Sequence, residues 1–258
     1  MEIRRVAIVT GSSSGLGKKT AITLAESGFR VVVNYRADEQ GADAVVEAVR
    51  TAGGEAIAVQ ADVTKRPHIR RLVEETIATW GRADVLVNNV GPFIRERKRF
   101  ADVTTTELDF LVDGNLRSAL EMVKEVLPYM RREKWGRIIH FGFGRASEAP
   151  AWPDRSVYAA AKVGLVSFTK SLAVEEAPFG ITVNMVCPGD IVGENKEKNI
   201  ADVKRVRDDE TPRGRPGTGE DVARVIRFLC EEESDFVTGN IVNVTGGLDV
   251  IHPSSKAP

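Results

Sequence analysis

Residues 6–17 read Val-Ala-Ile-Val-Thr-Gly-Ser-Ser-Ser-Gly-Leu-Gly, an apolar run of strand length that ends in a glycine-rich turn. Helical spacing of apolar residues follows, so the stretch predicts a strand, a tight turn and a helix in succession. Glycines at 11, 15 and 17 would let the backbone approach a phosphate closely. The helix would direct its unpaired N–H groups and its positive dipole end at the same anion. The stretch therefore indicates a nucleotide-binding βα unit.

Apolar runs of similar length recur along the rest of the chain. The seven runs are residues 6–9, 31–33, 56–59, 85–87, 138–141, 182–186 and 241–244. Most are separated by longer stretches with apolar residues three and four apart, which is typical of helices. Because the runs are apolar throughout rather than at every second residue, they indicate strands covered on both faces. The pattern predicts a doubly wound, Rossmann-type α/β fold with a parallel sheet of about seven strands.

One domain over residues 1–258 is the simplest organisation, because no repeat, low-complexity segment or Pro/Gly-rich linker divides the chain. The one break in composition is the stretch 193–215, which is rich in charged residues and poor in large apolar ones. Such a stretch is typical of a surface excursion. We therefore expect a charged lid over the substrate site at about residues 190–215.

Charge and composition narrow the function. The net charge of −1 provides no field that would attract nucleic acid or an anionic membrane surface, so we expect neither partner. No stretch approaches the roughly 18 consecutive apolar residues of a membrane span. The N-terminal residues enter a strand without a signal-peptide pattern, which predicts a cytoplasmic location. Cys187 and Cys230 lack metal-ligand spacing, so we expect buried thiols and no metal site.

Further motifs follow the glycine turn in a fixed order. They are Asn88-Asn89-Val90-Gly91, Tyr158-x-x-x-Lys162, Pro188-Gly189, and the closing Thr238-Gly239 and Thr245-Gly246-Gly247. Together with Thr10-Gly11-x-x-x-Gly15-x-Gly17 they resemble the classical short-chain dehydrogenase/reductase family over nearly the whole chain. Within that family the chain most resembles the 3-oxoacyl-[acyl-carrier-protein] reductase group. The resemblance implies a nicotinamide-dependent oxidoreductase.

The end of the second predicted strand bears on the choice of cofactor. NAD-binding folds place an acid there to hold the ribose hydroxyls, whereas this chain has Tyr35 followed by Arg36. A guanidinium can pair with a 2′-phosphate, and the tyrosine ring could pack on adenine, so we expect NADP(H). Alternatively, Arg36 is a solvated loop residue. The resemblance implies the other cofactor contacts at Gly11, Ser13, Ser14, Gly15, Leu16, Gly17, Asp62, Val63, Asn89, Gly91, Lys162, Pro188, Gly189 and Ile191.

Tyr158 and Lys162 carry the predicted chemistry. Four residues apart on a helix, they share one face. We expect the nearby ammonium to lower the pKa of the phenol, whose ordinary value of about 10 is high for proton exchange near neutral pH. Tyr158 would then protonate the alkoxide formed from a ketone. The resemblance implies that Lys162 also holds the nicotinamide ribose and that Asn115 supports a proton-relay water.

The serine that this family usually carries at the end of the preceding strand has no match. Its position falls on Phe143, and counting back from Tyr158 gives Arg145 instead. We expect Phe143, Ser147 and Trp152 to line the substrate pocket. Ser147 could supply the missing hydroxyl if its loop folds back, and the Gly144 N–H or a water could replace it. Losing one orienting donor typically lowers a rate by about 10²–10³.

Two functions remain open. The first is NADPH-dependent reduction of a small-molecule ketone or acyl-thioester carbonyl, favoured by the presence of Asn115, Tyr158 and Lys162. The second is an NADP-binding homologue with weak or no turnover that acts as a sensor or partner subunit, favoured by Phe143 and Gly193. The resemblance also implies a homo-oligomer, a tetramer, built on the long helical stretches 104–130 and 156–177.

Overall fold

The protein is described by a computed structural model that covers residues 4–251. All seven strands form one parallel sheet in the order β3-β2-β1-β4-β5-β6-β7. The strands are β1 (Val6–Val9), β2 (Arg30–Tyr35), β3 (Ala56–Gln60), β4 (Val85–Asn88), β5 (Gly136–Phe141), β6 (Ile181–Pro188) and β7 (Ile241–Val244). The doubly wound α/β fold predicted from the apolar runs is thus confirmed.

Helices cover both faces of this sheet. They are α1 (Gly15–Glu26), α2 (Glu39–Thr51), α3 (Arg66–Trp80), α4 (Thr105–Val112), α5 (Ser118–Glu133), α6 (Ser156–Glu176), α7 (Ile200–Val203) and α8 (Gly219–Cys230). The apolar residues of α1, α2 and α8 form one core with one face of the sheet, and those of α3, α5 and α6 form a second core with the other. Two buried layers of this kind explain why the strands are apolar on both faces.

The strand order reverses at β1, which pairs with β2 on one side and β4 on the other. In open α/β sheets such a reversal leaves a crevice beyond the carboxyl ends of the strands, where ligands bind. The glycine turn after β1 and the Asn88–Gly91 motif after β4 both lie at this edge.

The stretch 104–130, expected to be one long helix, contains an irregular turn. Helix α4 begins after a capping box in which the Thr104 side chain and Glu107 bond each other's backbone N–H groups. A π-helical turn, Asp113–Arg117, then joins α4 to α5, and the helix ends only at Glu133. Apolar spacing did not predict this turn. Such turns often occur at functional sites.

Helix α6 is the main element that brings Tyr158 and Lys162 to the sheet. Among residues 4–251, the segment Ser156–Phe179 is the one helical stretch long and apolar enough to cross a membrane, but half of it is buried inside the fold. Its buried side chains, among them Leu165, Val166 and Leu172, pack into the cores. Both cysteines are buried free thiols, as expected.

The charged stretch after β6 lies mostly on the surface. It contains a short 3₁₀ turn, Gly193–Lys196, and helix α7, and most of its side chains are exposed. Ile191 and Val203 anchor it in the protein interior. Hydrogen bonds tie it to α8, where Glu220 accepts from the Ile200 N–H and its own N–H donates to the Lys198 carbonyl.

Candidate active site

A cavity of about 1010 Å³ opens beyond the carboxyl ends of the strands. It runs from the glycine turn after β1, past the loops that follow β3 and β4, to the end of β5 and the exposed side of α6. Its walls include Gly11, Ser14, Gly15, Leu16, Asn34, Arg36, Asp62, Val63, Asn89, Gly91, Phe143, Trp152, Tyr158, Lys162, Pro188 and Gly189. The structure therefore brings most of the sequence-predicted site residues together in one place.

The glycine turn has the conformation and close packing that its sequence predicts. Gly11 and Gly15 have φ angles of +58° and +61°, in the region that favours glycine. A Cβ on Gly17 would lie 2.4 Å from the Gly11 carbonyl oxygen, so α1 packs directly against the turn. Asn89 holds the turn from the other side, because its Nδ2 donates to the carbonyls of Thr10 at 2.8 Å and Gly11 at 3.0 Å.

The end of β2 presents Arg36 to the cavity but not Tyr35. Successive strand residues point to opposite faces, and Asn34 and Arg36 line the cavity while Tyr35 is buried in the α1–α2 core. The Tyr35 hydroxyl lies 3.5 Å from Glu39. The expectation that Tyr35 contacts the cofactor is therefore not supported by its position. The Arg36 guanidinium makes no hydrogen bond or ion pair with any residue between 4 and 251.

Lys162 lies buried at the base of the cavity. Its Nζ donates to the Phe141 carbonyl oxygen at 2.8 Å, and its side chain is almost fully enclosed. Burial lowers the pKa of this ammonium to about 8, because a charged group loses its hydration there. Lys162 therefore loses its proton at a pH at which exposed lysines keep theirs.

Tyr158 keeps part of its surface open to the cavity, although its surroundings are mostly apolar. Burial raises the pKa of its phenol to about 12, with a smaller contribution from Cys187. The lowering expected from Lys162 does not prevail in the protein without cofactor, because the net shift of this pKa is upward. The reason is that desolvation of the phenolate dominates and the ammonium is directed at Phe141 instead.

Asn115 lies on the π-helical turn and points toward Lys162. Its Nδ2 donates to the carbonyls of Pro92 at 2.8 Å and Leu111 at 3.0 Å. Its buried Oδ1 has no hydrogen-bond partner among the described residues. A Cβ on Gly91 would lie 2.9 Å from this Oδ1 and 2.9 Å from Lys162 Nζ. Glycine at 91 thus leaves space between an unpaired acceptor and a buried ammonium, which a polar group can occupy.

Three aromatic rings surround Tyr158 on the substrate side. Phe93 meets it edge to face with ring centroids 5.0 Å apart, and Trp152 and Phe143 lie at 5.9 Å and 6.0 Å. Phe143 and Trp152 also contact each other at 4.9 Å. The aromatic box formed by Phe93, Phe143 and Trp152 makes this end of the cavity apolar.

Besides Tyr35, Gly17 and Asn115, four further predicted groups do not line the cavity. Ser147 is exposed on the 3₁₀ turn Ala146–Glu148, because left-handed residues at Arg145 and Ala149 turn that loop away from Tyr158. Its predicted place in the substrate pocket is wrong. Ser13 lies beside the cavity rather than in its wall, and Gly144 packs against Thr245. Ile191 is buried, and its N–H already donates to the Gly189 carbonyl.

Sequence reasoning missed several residues at this site. Asn34 binds the glycine turn, since its Oδ1 accepts from the Gly11 N–H at 3.1 Å. Strand alternation next to Arg36 could have indicated it. Arg155 lines the cavity with its guanidinium 4.9 Å from the Phe93 ring centroid. His140 is fully buried behind Lys162 and receives a hydrogen bond from Asn88 at 3.2 Å. No sequence signal distinguished His140 from an ordinary strand residue.

Comparison with known proteins bears on this geometry directly. A family model described as "Enoyl-(Acyl carrier protein) reductase" matches residues 11–249, from the glycine turn to beyond β7. The chain belongs to the short-chain dehydrogenase/reductase family. Membership covers all the motifs quoted above and accounts for the shared site at the carboxyl edge of the sheet.

Individual relatives support the same assignment. YtkK of Bacillus subtilis (strain 168), named as a candidate oxidoreductase, is 49% identical over 96% of this chain and 98% of its own length. A 3-oxoacyl-[acyl-carrier-protein] reductase FabG of Staphylococcus epidermidis is 35% identical over 95% of this chain and 99% of its own. A solved Bacillus thuringiensis structure, titled as a candidate 3-oxoacyl-reductase, is 45% identical and has a TM-score of 0.91, with 97% and 100% coverage.

Short-chain dehydrogenases use a nicotinamide dinucleotide, and the residues present fit one. The cavity is long enough to extend from Arg36 to Tyr158, and its phosphate end is a glycine turn at the N-terminus of a twelve-residue helix. At the other end, the unpaired Oδ1 of Asn115 and the space beside Gly91 leave polar groups available next to Lys162. The chain is thus a member of an oxidoreductase family, and the residues of its cavity fit a nicotinamide dinucleotide.

Proposed function

We propose that the protein is an NADPH-dependent reductase that converts a ketone or 3-oxoacyl-type carbonyl to the alcohol. The observation that carries the proposal is that Tyr158, Lys162 and the glycine turn line one continuous cavity. A dinucleotide bound along the turn would extend toward the tyrosine. When bound, the nicotinamide supplies the hydride for the carbonyl carbon.

The chain's own residues handle the proton. The Tyr158 hydroxyl donates its proton to the carbonyl oxygen, which gains negative charge as the carbonyl carbon is reduced. With its pKa raised to about 12, Tyr158 holds that proton throughout the neutral range. The ammonium of Lys162 favours the phenolate that remains, because it is buried in the same low-dielectric site. Asn115 Oδ1 accepts from a water that returns a proton to this pair.

Arg36 supports the preference for NADP(H) over NAD(H). It lines the cavity beside residues 61–65, and its guanidinium makes no hydrogen bond or ion pair with the described residues, although its charge helps to lower the pKa of Asp62. A 2′-phosphate would provide two or more oxygens for this planar donor. Asp62 also lies there, but the Thr64 hydroxyl and N–H hold its carboxylate at 2.7 and 2.9 Å.

The aromatic box supports a substrate whose carbonyl is carried by an apolar group. Phe93, Phe143 and Trp152 would pack against such a group and exclude water around Tyr158. The FabG relatives are named for 3-oxoacyl-[acyl-carrier-protein] substrates, which would enter as acyl thioesters. Small ketones present a carbonyl that could be reduced in the same way.

A second candidate function is NADP binding with weak or no turnover, as in a sensor or the partner subunit of an active homologue. Phe143 favours it, because the ring replaces a hydroxyl donor and closely contacts Trp152. The two candidates share the cofactor cradle and differ only in whether a carbonyl is reduced.

We further propose a cytoplasmic homotetramer. Exposed apolar side chains on α4 and α6 support association, since Phe110 is 47% and Val174 77% exposed in the single chain. Light scattering at micromolar concentration should give about four times the chain mass of 28.1 kDa. A mass of one chain would contradict the tetramer.

Turnover of a carbonyl panel decides between reductase and binder. We expect the absorbance of NADPH to fall with small ketones and 3-oxoacyl thioesters, and the alcohol to accumulate in equal amount. Calorimetry with NADPH on the same preparation establishes that the cofactor binds. Tight binding with no turnover across the panel would favour the second candidate.

A further inference from the structure

A carboxylate from the charged segment lies on the glycine turn. Glu197 Oε1 accepts a hydrogen bond from the Gly15 N–H at 2.8 Å, and Glu197 Oε2 lies 2.7 Å from Lys18 Nζ. Gly15 begins α1, so this N–H is one of the unpaired donors at the helix N-terminus. An anionic side chain therefore lies where the fold is built to receive a phosphate.

Neighbouring contacts show that the whole segment is seated on the turn. The side chain of Lys196 lies 3.6 Å from the Cβ position of Gly15, and Lys196 also lines the cavity. Two residues beyond Glu197, the Asn199 Oδ1 accepts from Lys19 on α1. The chain from Lys196 to Asn199 thus bridges the first turn of α1.

Glu197 remains charged in this position. Burial alone would raise the pKa of its carboxyl, but hydrogen bonds from Lys18 and from the Gly15 N–H bring the pKa below its ordinary value. A carboxylate and a phosphate compete for the same donors, and they repel each other when both are close. Both cannot occupy the Gly15 N–H at once.

We propose that Glu197 is an autoinhibitory anion that occupies the phosphate-binding turn in the free protein and must leave it when a dinucleotide binds. Its departure frees the Gly15 N–H and Lys18 and detaches the Lys196–Asn199 bridge from α1. Because the dinucleotide must displace Glu197, the free energy of the Glu197 contact is subtracted from the binding free energy, and the affinity for the cofactor is lower. The inference rests on the dinucleotide cradle and is independent of the choice between NADP and NAD.

Calorimetry with NADPH and with NADH tests the proposal on Glu197→Ala. We expect the variant to bind both cofactors about tenfold more tightly, since the competing anion is gone and Lys18 is released. Glu197→Gln keeps a hydrogen-bond acceptor but has no charge, so its cofactor affinity should lie between those of the parent chain and Glu197→Ala. Glu194→Ala is the matched control, because Glu194 pairs with Lys198 within the same segment and not with the turn.

Hydrogen exchange gives a second readout without cofactor. In Glu197→Ala the amides of residues 11–17 should exchange faster than in the parent chain, while Glu194→Ala leaves them unchanged. Unchanged exchange, or unchanged or weaker cofactor binding in Glu197→Ala, would overturn the inference and leave the proposed function in place. If neither the parent chain nor any variant binds NADPH or NADH, both the inference and the proposed function are overturned.

Discussion

The rings of Phe143 and Tyr158 lie 6.0 Å apart, centroid to centroid, at an interplanar angle of 36°. Phe143 lies two residues beyond β5, at the position predicted from the sequence to match the serine of the family, and its apolar ring faces the proton donor. Phe143 is buried against Trp152 and belongs to the core cluster beneath the cavity. An aromatic ring therefore lies beside the proton donor on the substrate side, and Tyr158 and Lys162 both line the same cavity.

Replacing Phe143 with serine should supply a hydroxyl donor at this position. We expect turnover of small ketones to be unchanged or to rise, by up to the roughly 10²-fold that one orienting donor is worth. Phe143→Ala removes the ring without adding a hydroxyl, so the ratio of kcat between the two variants isolates the donor. Removing the ring also costs about 3–5 kcal/mol of folding stability, which urea unfolding should detect in both. A serine variant no faster than the alanine variant would contradict this role.

Tyr158→Phe should abolish carbonyl reduction while leaving NADPH binding intact. The substitution removes the proton donor and little else, because the ring keeps its contacts with Phe93 and Trp152. Ser147→Ala is the control, since Ser147 lies on the surface outside the cavity wall and its loss should leave most of the activity. Steady-state kinetics and calorimetry measure the two effects. Loss of activity in Ser147→Ala would show that the loop refolds to bring this hydroxyl to the substrate.

The positions of the seven strands followed from the sequence because a strand buried on both faces must be apolar throughout. The glycine turn was equally predictable, since Gly11, Gly15 and Gly17 each meet a backbone requirement visible in the structure. Arg36 and Lys162 also line the cavity as predicted. In each case a local pattern carries the information.

Other features depend on geometry that no local pattern encodes. Tyr35 was misplaced because it and Arg36 were both expected to contact the cofactor, although adjacent strand residues point to opposite faces and the Tyr35 ring is buried in the core. Ser147 was misplaced because left-handed residues at Arg145 and Ala149 set the course of its loop. The Glu197 contact joins residues 182 positions apart, and sequence spacing alone cannot place such a pair.

Arg36→Ala should affect the binding of NADPH and of NADH differently. We expect the affinity for NADPH to fall by about 10- to 100-fold, the worth of a charge-assisted hydrogen bond to phosphate, and the affinity for NADH to change little. Arg70→Ala is the matched control, because Arg70 is an exposed arginine on α3 that does not line the cavity. Calorimetry with both cofactors measures the difference. Equal losses for NADPH and NADH would remove the support for NADP(H).

His140 should make the fold sensitive to acid. Burial, and next the nearby Lys162 charge, lower the pKa of its imidazole to about 3, so the folded protein keeps it neutral while an unfolded chain protonates it near pH 6.5. The unfolded state then binds more protons, and the free energy of unfolding falls by up to about 1.4 kcal/mol per unit as pH drops below 6.5. Urea unfolding between pH 6.5 and 5, above the range of most carboxylates, should show this slope. His140→Asn should reduce the dependence of the unfolding free energy on pH. If the same slope persists in the variant, the pH dependence arises from other groups.

The pH dependence of reduction should report on Lys162. Burial lowers the pKa of its ammonium to about 8, whereas the Tyr158 phenol, with a pKa of about 12, keeps its proton well above that. Raising the pH through 8 therefore removes the positive charge that stabilises the phenolate, while the proton donor remains.

Because kcat/KM reports the ionisation of the free enzyme, it should fall about tenfold per unit above pH 8 if only the charged lysine is active. Lys162→Arg keeps a positive charge at every accessible pH, so its profile should stay level at a lower plateau. Circular dichroism over the same range checks that both proteins remain folded. A parent profile that stays level to pH 10 would mean that the Lys162 charge does not assist proton transfer and that its remaining role is to hold the cofactor and the Phe141 carbonyl.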